Sequence, residues 1–541
     1  MLGRRDPQRS FFDAQSLPHR VPADSFYGRM GAVNEVLFCD DDLAMMYCAD
    51  NGRPSIPPSL MSGATLLQFY DDVSDAEAVE RMKFDMRWKV ALNLPLDYPG
   101  FDPSCFTYFR NRLLENGQER YGFDRFIAVG RKAGFIPDRV TLLTDTTNVK
   151  GAGAVQDTYT LLRKGMRKLL KAAGFHRPHK RQGLSPQTRT LLERYVDQDQ
   201  KADIDWGDPA ERAAQLQVLF EDAEAVLTLA AEEINEDEVR YLGWLLTKIL
   251  GDDLVVDDQG EAQMGEGTAS DRIISMTDPE MRHGRKSSAH LFNGFKVSVS
   301  TDQHSEMILD IADVTACGSD GAHLLPIIER VEEQAAVVVE RVMGDGAYGS
   351  GKNRAACDTK PGHAIDLLSP LAEPRDREVA KSAFQIDLDA GTGTCPQGHT
   401  VTGQPGGKDD GQDTWLFTFP RATCETCRLF ERCVRSKKTG RTVRTGAYEA
   451  YLQAARLRQH TDEFDRLYRL RAAVERKIAE LAQRGIRETR YVGEPKRQLQ
   501  RLWTGAAVNL KRLFRLAEAQ EVDLGMLLSG LQPPKPRWAA V

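Results

Sequence analysis

Long apolar runs are missing. Nothing in the 541 residues approaches the roughly 20 consecutive apolar positions a membrane-spanning helix needs. The opening Met1-Leu2-Gly3-Arg4-Arg5-Asp6 is followed by no secretory apolar segment. A membrane role is therefore not expected, and a cytoplasmic location is. An excess of positive charge is missing too: the formal net charge is -7, which argues against coating a polyanion by bulk attraction. The signs are nevertheless segregated, with basic clusters at 163–171, 176–181 and 484–515 and acidic ones at 197–208 and 252–266. Nine cysteines are too few for a disulfide framework in a chain of this length. That length also excludes a single compact core, so two to four folded units are expected.

Apolar periodicity divides the chain. Residues 1–135 read as an all-helical N-terminal domain, with Leu66, Leu67, Tyr70 and Val73 at helical spacing and Phe101-Asp102-Pro103-Ser104 as an N-terminal cap. Residues 136–154 and 271–371 read as two parts of an α/β core. Its expected strands are Val140-Thr141-Leu142-Leu143-Thr144, an antiparallel pair at 290–301 and 307–314, and two further strands at 337–344 and 365–368. The stretch 155–270 interrupts this core as a helical insert with little strand character. A second insert, 372–450, is rich in Gly, Thr and Cys. Helical periodicity over 451–520 completes the core, and 521–541 is a tail ending near Pro533-Pro534-Lys535-Pro536.

Three carboxylates carry the chemistry. Asp145 ends the first strand, Asp345 follows the second between Gly344 and Gly346, and Glu475 lies in Tyr468-x2-Arg471-x3-Glu475, one face of a helix expected over 464–484. Singly, these read equally well as a cap, a turn and an i,i+4 surface pair. Together, two strand-end Asp and a helical Glu can hold a pair of Mg²⁺ (or Mn²⁺) ions, because hard cations prefer carboxylate oxygens. Such a pair clamps the attacking and leaving oxygens of a phosphoryl transfer. The arrangement points to an enzyme that cuts nucleic acid.

Cys395, Cys424, Cys427 and Cys433 follow C-x28-C-x2-C-x5-C, with His399 as a further donor. Soft thiolates suit a structural Zn²⁺, and free buried thiols or a redox role are the competing readings. Lys180 and Arg181, and Arg487, Arg490, Lys496, Arg497 and Arg501 beyond the Glu475 helix, are candidates to meet DNA phosphates. A solvated face or linker is the alternative.

With Asp145-Thr146-Thr147, Ser275-x-Thr277-Asp278-Pro279-Glu280, Gly294-Phe295-Lys296, Gly344-Asp345-Gly346-Ala347-Tyr348 and Arg490-Tyr491-Val492-Gly493, the chain resembles bacterial insertion-sequence transposases of the Asp-Asp-Glu class. The resemblance implies an RNase H-like core and cut-and-paste chemistry. It makes Asp145, Asp345 and Glu475 the metal-binding triad, and matches Tyr468 and Arg471 to the Tyr-Arg-Glu-Lys signature, in which the Arg contacts phosphate. Ala482 stands where that signature has Lys, leaving Lys477, Arg484 or Arg487 as substitutes. Transposon-end and target DNA are the implied partners, with a homodimer for synapsis and the N-terminal domain recognising the ends. The alternatives are an RNase H-like nuclease that cuts without joining and a catalytically inactive, domesticated DNA-binding protein.

Overall fold

The computed structural model describes residues 1–5, 17–48, 52–199, 201–231, 236–287, 289–372, 374–436 and 438–531; the Pro-rich part of the expected tail lies outside them. Helices Phe26–Leu37, Pro58–Asp71, Asp75–Phe84, Met86–Leu92, Ser104–Glu115 and Tyr121–Lys132 come first. Strand β1 (Arg139–Lys150) follows, more than twice as long as the five-residue apolar run that signalled it. Asp157 accepts a hydrogen bond from the Thr160 amide and so starts helix Thr158–Ala172. This helix, Pro209–Ala230 and Asp237–Asp253 build the first insert around their own apolar cluster. The insert also contains a hairpin absent from the sequence reading, β2 (Leu254–Val256) and β3 (Ala262–Met264).

The main sheet adds β4 (Arg282–Ser287), β5 (His290–Asp302), β6 (Ile308–Val314), β7 (Val338–Met343) and β8 (Asp366–Leu368). Its order is β4-β5-β1-β7-β8, with β6 beside β5 as well. β5 runs antiparallel to β1, β4 and β6, whereas β7 is parallel to both β1 and β8. β1 is central, so Val140, Leu142, Leu143 and Thr144 are all buried and the clean alternation of a one-faced strand is lost. Residues 385–444 form two small three-stranded sheets over a cluster of Phe384, Phe417, Phe419 and Val443.

Helix Glu494–Ala519 joins the N-terminal helices to the sheet. Leu499, Leu502, Trp503, Ala506, Leu510, Leu513 and Ala517 recur at spacings of three and four, and all are buried. Gly505 matters here, because a Cβ would stand 2.9 Å from the Phe123 ring. The buried Asn509 side chain bonds both the amide and the carbonyl of Ile308 at 2.8 Å, pinning the start of β6. One continuous apolar core therefore includes Phe26, Tyr70, Phe126, Val297, Ile311, Val342 and Trp503. The N-terminal helices are not packed as a separate unit ending at 135, because their apolar faces are completed by a helix from the other end of the chain. Among the described residues, no helix is long and apolar enough to cross a membrane.

Arg497 and Arg501 on the same helix correct an expectation. Arg497, placed by its sequence position on a DNA path, has a side chain only 3% exposed and pairs with Asp278, Glu280 (2.6 Å) and Asp313 (2.8 Å). Its guanidinium also covers the Phe295 ring at 3.9 Å. Arg501 is fully buried on Asp313 at 3.1 Å. Asp313→Ala would leave two buried guanidinium groups short of a carboxylate, and a loss of about 3 kcal/mol or more is expected in equilibrium urea unfolding. A loss below about 1 kcal/mol would show that the pairing carries little stability.

Candidate active site

Strand register brings the first two carboxylates together. Leu143 is the Cα partner of Met343 in the parallel β1–β7 pair, and Asp145 and Asp345 each lie two residues further on. Neighbouring strands run about 4.8 Å apart, so the two Asp lie at matching positions: Asp345 just past the end of β7, and Asp145 not at a strand end as expected but inside β1, which continues to Lys150 because β5 pairs along it. Asp345 lies in a tight turn, with its Oδ1 accepting from the Ala347 amide at 2.9 Å. Asp145 Oδ1 accepts from the Thr146 amide at 2.8 Å.

Glu475 arrives on helix Ala472–Ala482, which packs on β1 and β5 and carries Glu475 in its first turn, where the helix dipole favours a negative charge. The single helix expected over 464–484 is broken: Asp462–Tyr468 ends, Arg469–Arg471 forms a 3-10 turn, and only then does the second helix start. The break turns Arg471 inward. Its Nη2 donates to Asp145 Oδ2 at 2.6 Å and its Nη1 to Glu475 Oε1 at 2.7 Å. Arg471 also lies 6.0 Å from the Tyr468 ring centre, and Tyr468 stacks on Phe464. Asp145 and Arg471 are mostly buried, while Glu475 is exposed.

The electrostatics bear the mark of crowded negative charge. Burial pushes the Asp145 carboxyl above its usual range, Arg471 and the Thr146 amide pull it back, and the charges of Asp345 and Glu475 push it up again. Tyr468 is also raised, first by burial and then by the same three carboxylates against Arg471. Tyr348, fully buried beneath the site, is raised by burial, with Asp320, Asp145 and Asp345 adding to the shift. Asp145 thus feels the other two carboxylates, and hard oxygen donors brought near one another suit a divalent cation. As the side chains stand, however, no three His, Cys, Asp or Glu among the described residues are grouped closely enough to hold a metal ion. Arg471 occupies the space between Asp145 and Glu475.

A further network escaped sequence reasoning. Thr146 Oγ1 donates to Asp320 Oδ2 at 2.7 Å, and Lys296 Nζ donates to Asp320 Oδ1 at 2.7 Å. The motif Gly294-Phe295-Lys296 was the available signal, but its partner lies on an unremarkable turn.

The other candidates are scattered. Arg181 is spent on Asp197 at 2.8 and 2.9 Å, and Lys180 sits partly exposed in the same 3-10 turn. Arg490 is a second correction. It donates to the Val73 carbonyl at 2.6 Å, pairs with Asp72 and covers Phe69, so it ties the core to an N-terminal helix. Lys496 and Arg487 are exposed. Of the substitutes for the missing signature Lys, Lys477 is buried on Glu480 and Arg484 covers the Tyr70 ring at 3.6 Å, which leaves Arg487 facing solvent. Cys395, Cys424, Cys427, Cys433 and His399 line one pocket. The Leu429 amide lies 3.4 Å from Cys427 Sγ, and burial raises the Cys433 thiol.

Two family models match the chain: the transposase DDE domain over residues 394–514 and the transposase domain (DUF772) over residues 15–112. Together they indicate a DDE-type insertion-sequence transposase. The first match spans Glu475 and the four clustered cysteines of the transposase, while Asp145 and Asp345 lie outside both. No curated protein and no solved structure matches it significantly.

Because the Asp145 pKa is raised in the folded state, its ionisation subtracts stability as pH rises from the ordinary carboxylate range through the native value. Arg471 limits that loss. Arg471→Gln should therefore destabilise the transposase more at pH 7 than at pH 4 in paired denaturation curves. Equal losses at both pH values would mean that no charged Asp145 depends on this arginine.

Proposed function

We propose that the transposase performs cut-and-paste transfer of DNA strands at a site built on Asp145, Asp345 and Glu475. The observation that carries this reading is the matched position of the two aspartates on adjacent parallel strands, with Arg471 reaching both Asp145 and Glu475. The sheet supports an RNase H-like core: β1, β5 and β6 form an antiparallel meander, and β7 and β8 follow in parallel on the other side of β1.

The three carboxylates would hold Mg²⁺ or Mn²⁺, as transposases of this class generally use a divalent metal. Such ions supply a clamp on the attacking and leaving oxygens of an in-line displacement. The chain's own residues do the positioning. For Asp145 and Glu475 to share a cation, Arg471 has to release them, and its freed guanidinium then has the planar donor fork that suits a scissile phosphate. Tyr468 flanks that arginine and limits where it can swing. Thr146, held by Asp320, anchors β1 beside Asp145 against the repulsion of neighbouring carboxylates. The N-terminal helices would recognise transposon ends, and two copies would act together on a pair of ends and a target.

Asp145→Ala, Asp345→Ala and Glu475→Ala should each cut divalent-dependent cleavage of a plasmid carrying the coding region and its native flanks by about a hundredfold or more, since a catalytic cation is worth several kcal/mol. DNA binding should be retained. Full cleavage by any of the three variants would remove that residue from the site, and cleavage without joining of a pre-cut end to target DNA would favour a nuclease.

The four cysteines are assigned to a structural Zn²⁺ in the same proposal. Four buried apolar side chains are a small core for this sub-domain, and the thiols line one pocket, although as they stand no three of them are grouped closely enough to hold an ion, so the staple requires them to draw together. Protein purified without added zinc should carry about one Zn²⁺ per chain by elemental analysis, as a closed four-ligand site requires. Less than about half an equivalent would leave the thiols free.

A further inference from the structure

The β4–β5 hairpin outruns the sheet. Lys150, the last residue of β1, pairs with Gly294, and Gly294 pairs on its other side with Arg282. Beyond this row, the Gly151 amide still donates to the Asn293 carbonyl at 3.0 Å, and from there to the turn β4 and the start of β5 pair with each other alone among the described residues, from His283↔Asn293 to Ser287↔His290. The result is a two-stranded ribbon projecting past the end of the central strand. Gly294 sits at its root with φ +150°, where a Cβ would stand 2.2 Å from the Val149 carbonyl oxygen, so the three strands close tightly there. Along the ribbon, the Phe292 ring covers Gly284, and His283 Nδ1 bonds Asn293 Oδ1 at 2.7 Å. These contacts stiffen a two-stranded element that would otherwise be marginal.

The charge of the ribbon sets it apart. Residues 281–301 contain Arg282, His283, Arg285, Lys286, His290 and Lys296 and no Asp or Glu, in a chain whose net charge is -7. Arg285 and Lys286 are exposed. Arg282 spends its guanidinium on the backbone carbonyls of Pro279 and Met281 at 2.6 and 2.8 Å rather than on a carboxylate. Leu291, opposite Arg285, is 69% exposed. The root lies five residues beyond Asp145 on β1, about 17 Å at 3.4 Å per residue. That is close enough for one DNA molecule to reach both.

We infer that the β4–β5 ribbon is a DNA-binding arm that enters a groove of the duplex beside the active site and grips its backbone through Arg285 and Lys286. A two-stranded ribbon is one of the two elements that a B-DNA major groove admits, and two exposed cations without a carboxylate partner among the described residues match phosphates. The inference rests on the transposase reading and adds to it the surface that holds DNA outside the reacting centre.

The test uses full-length protein and a 30-bp duplex of arbitrary sequence, with affinity measured by fluorescence anisotropy across a sodium chloride series. Each phosphate contact contributes about 0.9 to the slope of log K against log salt, so Arg285→Ala/Lys286→Ala should flatten the slope by about 1.8. Arg285→Lys/Lys286→Arg should keep the wild-type slope, and unchanged thermal melts would show that the fold is intact. Wild-type binding with the same slope in the alanine pair would overturn the arm alone. Wild-type protein that binds no DNA at any salt concentration would overturn the transposase reading and the arm with it.

Discussion

Arg471 joins two carboxylates drawn from distant parts of the chain, and its bond to Asp145 spans 326 residues. Burial raises the pKa of Asp145, and the nearby charges of Asp345 and Glu475 add to the shift. One guanidinium with two separately directed donors offsets it. This end of the sheet holds a cation between its acids, supplied by Arg471 of the 3-10 turn Arg469–Arg471.

The same logic of paired charge recurs where the structure must hold its parts together. Arg497 gathers Asp278, Glu280 and Asp313, and Arg490 reaches back to Asp72 and Val73. The apolar stripe of helix Glu494–Ala519 then seals the N-terminal helices onto the sheet. Several motifs that carry the transposase resemblance serve this assembly. Asp278 and Glu280 bind Arg497, Phe295 lies beneath it, and Tyr491 lies under Arg110 at 5.2 Å. A transposase-like motif need not touch DNA. It can be the part of the frame that keeps the acids in register while two other stretches of the chain, 161–276 and 384–443, pack around apolar clusters of their own.

Much of the α/β order was legible, because short β-branched runs ending in Asp or Gly are local signals. The antiparallel pair of β5 and β6 and the strands β7 and β8 all showed in this way, though the parallel pairing of the last two did not. Strand β4 did not. Its residues Arg282, His283, Gly284, Arg285 and Lys286 have no apolar alternation, and only pairing with β5 makes them a strand. The β2–β3 hairpin was hidden for the same reason, inside a segment dominated by Gly and Asp. The basic residues were the least legible part of the candidate site. Arg487 and Lys496 are exposed, whereas Arg490 and Arg497, from the same stretch of sequence, are spent on acids elsewhere in the chain. A cation's partner cannot be read from its neighbours in sequence.

By itself the sequence determined which chemistry was available: Asp145, Asp345 and Glu475 as hard donors, four clustered thiols, an arginine one turn before the glutamate, and the apolar periods that make strands and helices. These are properties of residue type and spacing, and they survive without coordinates. Only the tertiary structure decided which charges neutralise one another, which strand ends lie side by side, and which basic residues stay free for a polyanion. Those outcomes depend on contacts between segments hundreds of residues apart, where burial makes an unpaired charge too costly to keep and exposure lets it remain.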